Sequence, residues 1–202
     1  RVRQNIFENN WVGIKQTGNS GTGGNVIIGG NSSADGNTFT QTTFYSPTGP
    51  QPWTFGVYNN GIGKIDVFNN TFTKQTVGIY SDNSTAANLS STQHNNAWRN
   101  TFTNCGRGVE FTNNNSRFRV LCNTFNSSSN AEAYWVVKNG TVENPQGGGS
   151  PCMYPDNTFG TPTPPKKDIN LVRTTGLNPS FQYFWSGTAP TPFNTPPCFG
   201  CT

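Results

Sequence analysis

The stretch Asn70-Thr71-Phe72-Thr73-Lys74-Gln75-Thr76-Val77-Gly78-Ile79 returns thirty residues later as Asn100-Thr101-Phe102-Thr103-Asn104-Cys105-Gly106-Arg107-Gly108-Val109. Asn-x-Phe opens both copies, and Gly followed by a β-branched residue stands eight positions after each Asn. Working outward, Asn-x-Phe occurs six times, beginning at Asn5, Asn37, Asn70, Asn100, Asn123 and Asn157, at intervals of 32, 33, 30, 23 and 34 residues. Gly13-Ile14 keeps the eight-residue offset, whereas Gly56-Val57 follows Asn37 by nineteen. The Pro-rich stretch Ser46–Pro52 accounts for the extra eleven residues as a loop. An apolar residue also stands three positions before each Asn, at Val2, Ala34, Val67, Ala97, Val120 and Tyr154.

A unit this short cannot bury its own apolar face and must stack on its copies. Alternation along a strand turns Phe7, Phe39, Phe72, Phe102, Phe125 and Phe159 inward. Thr71, Thr73, Thr101 and Thr103 then point outward. Asn5, Asn37, Asn70, Asn100, Asn123 and Asn157 are expected to form a column at a turn, each amide bonding to the next and to loop backbone. The repeated Gly is expected at a sharp corner. A β-sandwich is the competing all-β arrangement, but it does not predict a constant Asn-to-Gly offset.

Composition agrees. The 202 residues are 31% hydrophobic and 11% charged, with 29 Asn, 27 Thr and 23 Gly. All three of these residue types disfavour helix, so a helical bundle and a coiled coil are excluded. No run approaches the roughly 18 apolar residues of a spanning helix. An aromatic content of 13% argues against disorder. The net charge of +4 comes from scattered residues and not from a stripe, which points away from nucleic acid. The polar, Lys-poor composition has the style of a secreted or cell-surface protein. The chain opens inside a repeat unit, at Arg1-Val2-Arg3-Gln4-Asn5, so it is expected to be a mature product or an excised fragment.

The repeat resembles the right-handed parallel β-helix in its pectate-lyase-like, carbohydrate-binding and sugar-hydrolase-like form, over residues 1–175. The resemblance implies an all-β solenoid of about six coils. Residues 176–202 are expected to form a C-terminal cap and linker. Phe181, Tyr183, Phe184 and Trp185 would lie over the last coil, and the Pro-rich tail would lead out of the domain. Such a tail after Asn-x-Phe repeats is similar to large surface proteins of gliding and related bacteria exported by the type IX secretion system. Open solenoid ends expose strand edges, so flanking domains or other chains are expected partners, with the secretion machinery and polysaccharide as further ones.

Lyases and hydrolases on this fold need clustered carboxylates. None of the nine Asp and Glu residues forms such a motif. The best catalytic patch joins Asp82 and Glu110 with Arg107 and Arg117, and a solvated salt-bridge patch is the plainer reading. His94, the single histidine, is expected to decorate a loop. Cys105 and Cys122 read as small buried residues. Cys198 and Cys201 read as a local disulfide, or as a bond to a further domain. Trp53 and Phe55 in the long loop, and one of Tyr134 and Trp135, are candidates to stack on sugar rings. Thr71, Thr73, Thr101 and Thr103 form rows similar to the flat face of ice-binding solenoids. No metal or cofactor is expected. The sequence thus points to a non-catalytic, structural or adhesive extracellular module, with carbohydrate as a possible ligand. The alternatives are an atypical polysaccharide lyase or glycoside hydrolase, and ice binding.

Overall fold

A computed structural model describes residues 1–18, 25–49, 52–61, 63–82, 93–126, 133–144, 146, 157–160, 167–173 and 183. The cysteines at 152, 198 and 201, most of the expected aromatic cap and the Pro-rich tail lie outside the described residues. In chain order the elements are β1 (Ile6–Glu8), β2 (Val12–Gly18), β3 (Val26–Gly29), a 3-10 turn (Ser33–Asp35) and β4 (Thr38–Thr40). Then follow β5 (Phe55–Gly61), β6 (Ile65–Phe68), β7 (Thr71–Thr73), β8 (Val77–Asp82), β9 (Asn95–Trp98), β10 (Thr101–Thr103) and β11 (Arg107–Asn115). The last are β12 (Phe118–Leu121), β13 (Thr124–Phe125), β14 (Ala133–Val142), β15 (Thr158–Phe159) and β16 (Lys167–Val172).

These strands form three parallel sheets. The first is β1-β4-β7-β10-β13-β15, the second β2-β5-β8-β11-β14-β16 and the third β3-β6-β9-β12. The chain visits the sheets in rotation, an all-β parallel architecture compatible with a parallel β-helix.

Two columns hold the interior. In the first sheet Phe7, Phe39, Phe72, Phe102, Phe125 and Phe159 stack ring on ring, with centroids 4.8–5.2 Å apart and planes within 10°. That spacing matches the distance between neighbouring strands. Beside them runs an asparagine ladder. The backbone N–H and the Nδ2 of Asn70 both donate to Asn100 Oδ1, at 3.0 and 3.1 Å. The same pair of bonds links Asn5 to Asn37, Asn37 to Asn70, Asn100 to Asn123 and Asn123 to Asn157. Each Nδ2 from Asn37 onward also donates to a carbonyl of the third sheet or its N-terminal bridge: Val2, Ile28, Val67, Ala97 and Val120 in turn.

Two expectations need correction. The repeated glycines are not the corners. The corners are left-handed residues on either side of the first-sheet strands: Gln4, Asn69, Arg99 and Cys122 before the ladder asparagine, and Asn9, Lys74 and Asn104 four positions after it, with φ between 52° and 58°. Gly13, Gly56, Gly78 and Gly108 lie inside strands of the second sheet, each facing the Phe ring of the next coil. A Cβ on Gly78 would stand 2.6 Å from Phe102 Cε1. These positions need Gly for close approach. The second correction concerns Ala34. Ile28 occupies that row, paired with Val67, because the 3-10 turn at Ser33–Asp35 is an excursion between β3 and β4.

Candidate functional site

The outer face of the second sheet gathers most of the acid and aromatic candidates. The residue two after each repeated Gly points outward, giving Lys15, Tyr58, Tyr80 and Glu110 in register. Tyr58 stacks on Tyr80 at 5.0 Å, and Phe55 meets both edge-on at 5.3 and 5.5 Å. Trp53 lies 6.4 Å from Phe55. The faces of this cluster are covered by cations, with Lys15 over Tyr58 and Arg107 over Trp53. Arg107 Nη1 also pairs with Glu110 Oε2 at 2.7 Å, and Glu110 is only 2% exposed. Asp82 accepts a 2.7 Å bond from Asn113 Nδ2. Burial pushes the Tyr80 hydroxyl up to about 12, opposed by a hydrogen bond from Thr112 and reinforced by the charges of Asp82 and Glu110. The patch is therefore held together by internal bonds.

Arg117 does not join it. It lies on the turn that carries the chain from β11 to β12, where its carbonyl accepts from Asn95 N, so it belongs to the side of the third sheet. Trp135 is likewise no surface residue. It pairs with Val109 and Ile169, is 0% exposed, and packs edge-on against Phe111 and Tyr183. Its neighbour Tyr134 is buried too. It occupies the row of the repeated glycines, tilted against Phe125 and Phe159, so neither member of the pair is available to a ligand.

The threonines line the outer face of the first sheet. Thr38, Thr71, Thr101, Thr124 and Thr158 share one row, and Thr40, Thr73 and Thr103 a second. Asn126 continues the second row and bonds to Thr103 Oγ1.

The outer face of the third sheet holds a cluster not expected from sequence. Asp66 is buried between Lys64 Nζ at 3.0 Å and Asn96 Nδ2 at 2.7 Å. Glu143 is gripped by Arg119 Nε at 2.7 Å and by His94 Nδ1 at 2.5 Å. His94, on the loop just before β9, is thus held by a hydrogen bond with Glu143. The signal was present, since Asp66, Asn96 and Arg119 each immediately precede an apolar landmark. Cys105 is buried, and burial pushes its thiol up to about 12. No group of three or more His, Cys, Asp or Glu among the described residues is placed to hold a metal ion.

A concave feature lies at the corner between the first two sheets. Asn9, Trp11, Gln41, Thr42, Thr43, Tyr45 and Thr54 line a cavity of about 200 Å³. Comparison with known proteins gave no matching family model, no matching curated protein and no matching solved structure.

Proposed function

We propose that the chain is a right-handed parallel β-helix acting as a rigid, non-catalytic extracellular module, structural or adhesive, that meets polysaccharide without cleaving it. The handedness follows from the general rule that a crossover between parallel strands of one sheet is right-handed in roughly 98% of cases. The observation that carries the non-catalytic reading is the closed state of the best acid patch. Glu110 is buried in a pair with Arg107, and Asp82 is tied to Asn113. A general acid or nucleophile must reach the scissile bond, and these carboxylates are engaged with their own protein. Export, by the type IX route that the resemblance implies, and contact with flanking domains or other chains belong to the same proposal.

The test uses a panel of neutral and acidic polysaccharides. Retardation of the protein in at least one polysaccharide-containing native gel is expected, without release of reducing ends or unsaturated products. Product formation that disappears in Asp82→Ala or Glu110→Ala would establish the lyase or hydrolase alternative instead. The registered threonine rows favour a second reading, ice binding. Along a strand, alternate residues stand about 6.7 Å apart, and neighbouring strands about 4.8 Å, so the face is a regular hydroxyl grid. Ice-crystal shaping that is abolished by Thr71→Tyr would support it.

A further inference from the structure

The geometry points to a binding site for one neutral sugar ring in the cleft lined by Trp11 and Tyr45, a site that rests on the carbohydrate reading above and gives it a place and a ligand class. The cleft arises from a break in the repeat. In three other coils the residue that ends the first-sheet segment turns left-handed, at Asn9, Lys74 and Asn104. The equivalent Gln41, whose N–H bonds to Thr73 O, does not. The chain instead leaves the coil after Gln41 and returns at Thr54, which exchanges hydrogen bonds with Thr76. This excursion forms one wall of the cleft, and Trp11 of the preceding coil forms the other.

The wall is fixed in place. Thr76 Oγ1 donates to Tyr45 O at 2.8 Å, and Pro47 packs so close to Gly106 that a Cβ there would stand 2.6 Å from Pro47 Cδ. At the base, Thr42 N and Oγ1 both donate to Asn9 Oδ1, and Gln41 Nε2 donates to Asn10 O. A preformed cleft loses little entropy on binding.

Its lining matches the two kinds of surface on a sugar ring. Trp11 is 60% exposed and stacks with Tyr45 at 6.4 Å with 22° between the planes, too close for a ring between them, so the exposed side of Trp11 is the face open to a sugar. Aromatic faces of this kind carry negative potential and suit the C–H face of a pyranose. Around them, Asn9 Nδ2, Gln41 Oε1 and the hydroxyls of Thr43 and Tyr45 have no hydrogen-bond partner among the described residues. They offer donors and acceptors at several points of the rim, as ring hydroxyls require. No lining side chain is charged, which argues against a uronate, a phosphate or a divalent cation. The volume of about 200 Å³ is below the roughly 300 Å³ at which pockets for drug-sized ligands begin, so one ring enters while the rest of a chain lies outside.

The test is titration of the whole chain with glucose, mannose, galactose, N-acetylglucosamine, xylose and their short oligomers, with polygalacturonate as the acidic arm, followed by calorimetry and tryptophan fluorescence. At least one neutral series is expected to bind, with little dependence on salt. Trp11→Ala should weaken that binding at least tenfold, Tyr45→Ala at least fivefold, and Trp11→Phe should retain most of it. Because Trp11 is largely exposed, the circular dichroism and melting of Trp11→Ala should match the parent. Binding of a neutral glycan that Trp11→Ala and Tyr45→Ala leave unchanged would overturn the cleft and leave the module reading standing. Binding of polygalacturonate alone would do the same. No binding of any sugar would overturn both.

Discussion

A ladder asparagine does what no other side chain of its size can, because its oxygen accepts twice while its amide donates twice. At Asn100 the oxygen takes the N–H and the Nδ2 of Asn70, and Nδ2 gives one bond to Val67 O and one to Asn123 Oδ1, all in a fully buried setting. Aspartate keeps the acceptor and loses both donations. Alanine removes everything and strands the partners. Each buried group left without a partner costs about 1–3 kcal/mol, so Asn100→Ala is expected to lose about 3 kcal/mol or more of unfolding free energy in urea. Asn5 stands at the exposed end of the ladder, where water replaces lost bonds, and Asn5→Ala should cost less than about 1 kcal/mol. Equal costs at the two positions would mean that the ladder does not hold the coils in register.

At the scale of the strand, what the sequence made legible was whatever kept a constant offset. The Phe and Asn columns did so because each copy is buried against the next and cannot drift. The third-sheet strand β3 was misread because Ser33–Asp35 separates Ile28 from its asparagine, and Ala34 happened to fall at the expected offset. Arg117 was misplaced because the turn at Ser116–Arg117 changes sheet, which counting from Asn100 does not reveal. The cleft was hidden for a related reason: it is made by Trp11 and Tyr45, on different coils, where one coil departs from the repeat. Trp135 looked available only because alternation was applied to a position where Tyr134 replaces Gly. The glycine itself was found but given the wrong physical role, and a substitution separates the two roles. A corner residue of ordinary φ would accept Ala. A residue pressed on a Phe ring would not. Overpacking costs roughly 1–3 kcal/mol, so Gly78→Ala is expected to destabilise by at least that much. Phe102→Leu in the same chain should recover part of the loss, giving a non-additive double-mutant cycle. Strict additivity would return Gly78 to the corner.

For the molecule as a whole, stability in a stack of this kind is a sum over nearest neighbours. Phe102 is buried with a ring on either side, at 5.0 Å from Phe72 and 4.8 Å from Phe125. Phe7 is half-buried and has one stacked neighbour among the described residues, Phe39. Among the described residues its strand β1 is an edge of the first sheet, bonded to β4 alone, while β10 lies between β7 and β13. Truncating a buried Phe to Ala costs about 3–5 kcal/mol, so Phe102→Ala should fall in that range and Phe7→Ala at less than half of it, by urea titration. The same argument orders local opening. Amides of β7, β10 and β11 should exchange with solvent most slowly, and those of β1 and β2, the edges of their sheets, fastest. Opening that starts at β1 also frees Trp11, which lies between β1 and β2, so a sugar bound against Trp11 should slow exchange in β1 and β2 and leave β10 unchanged. Equal protection across all coils, with or without sugar, would show that the chain opens only as one unit.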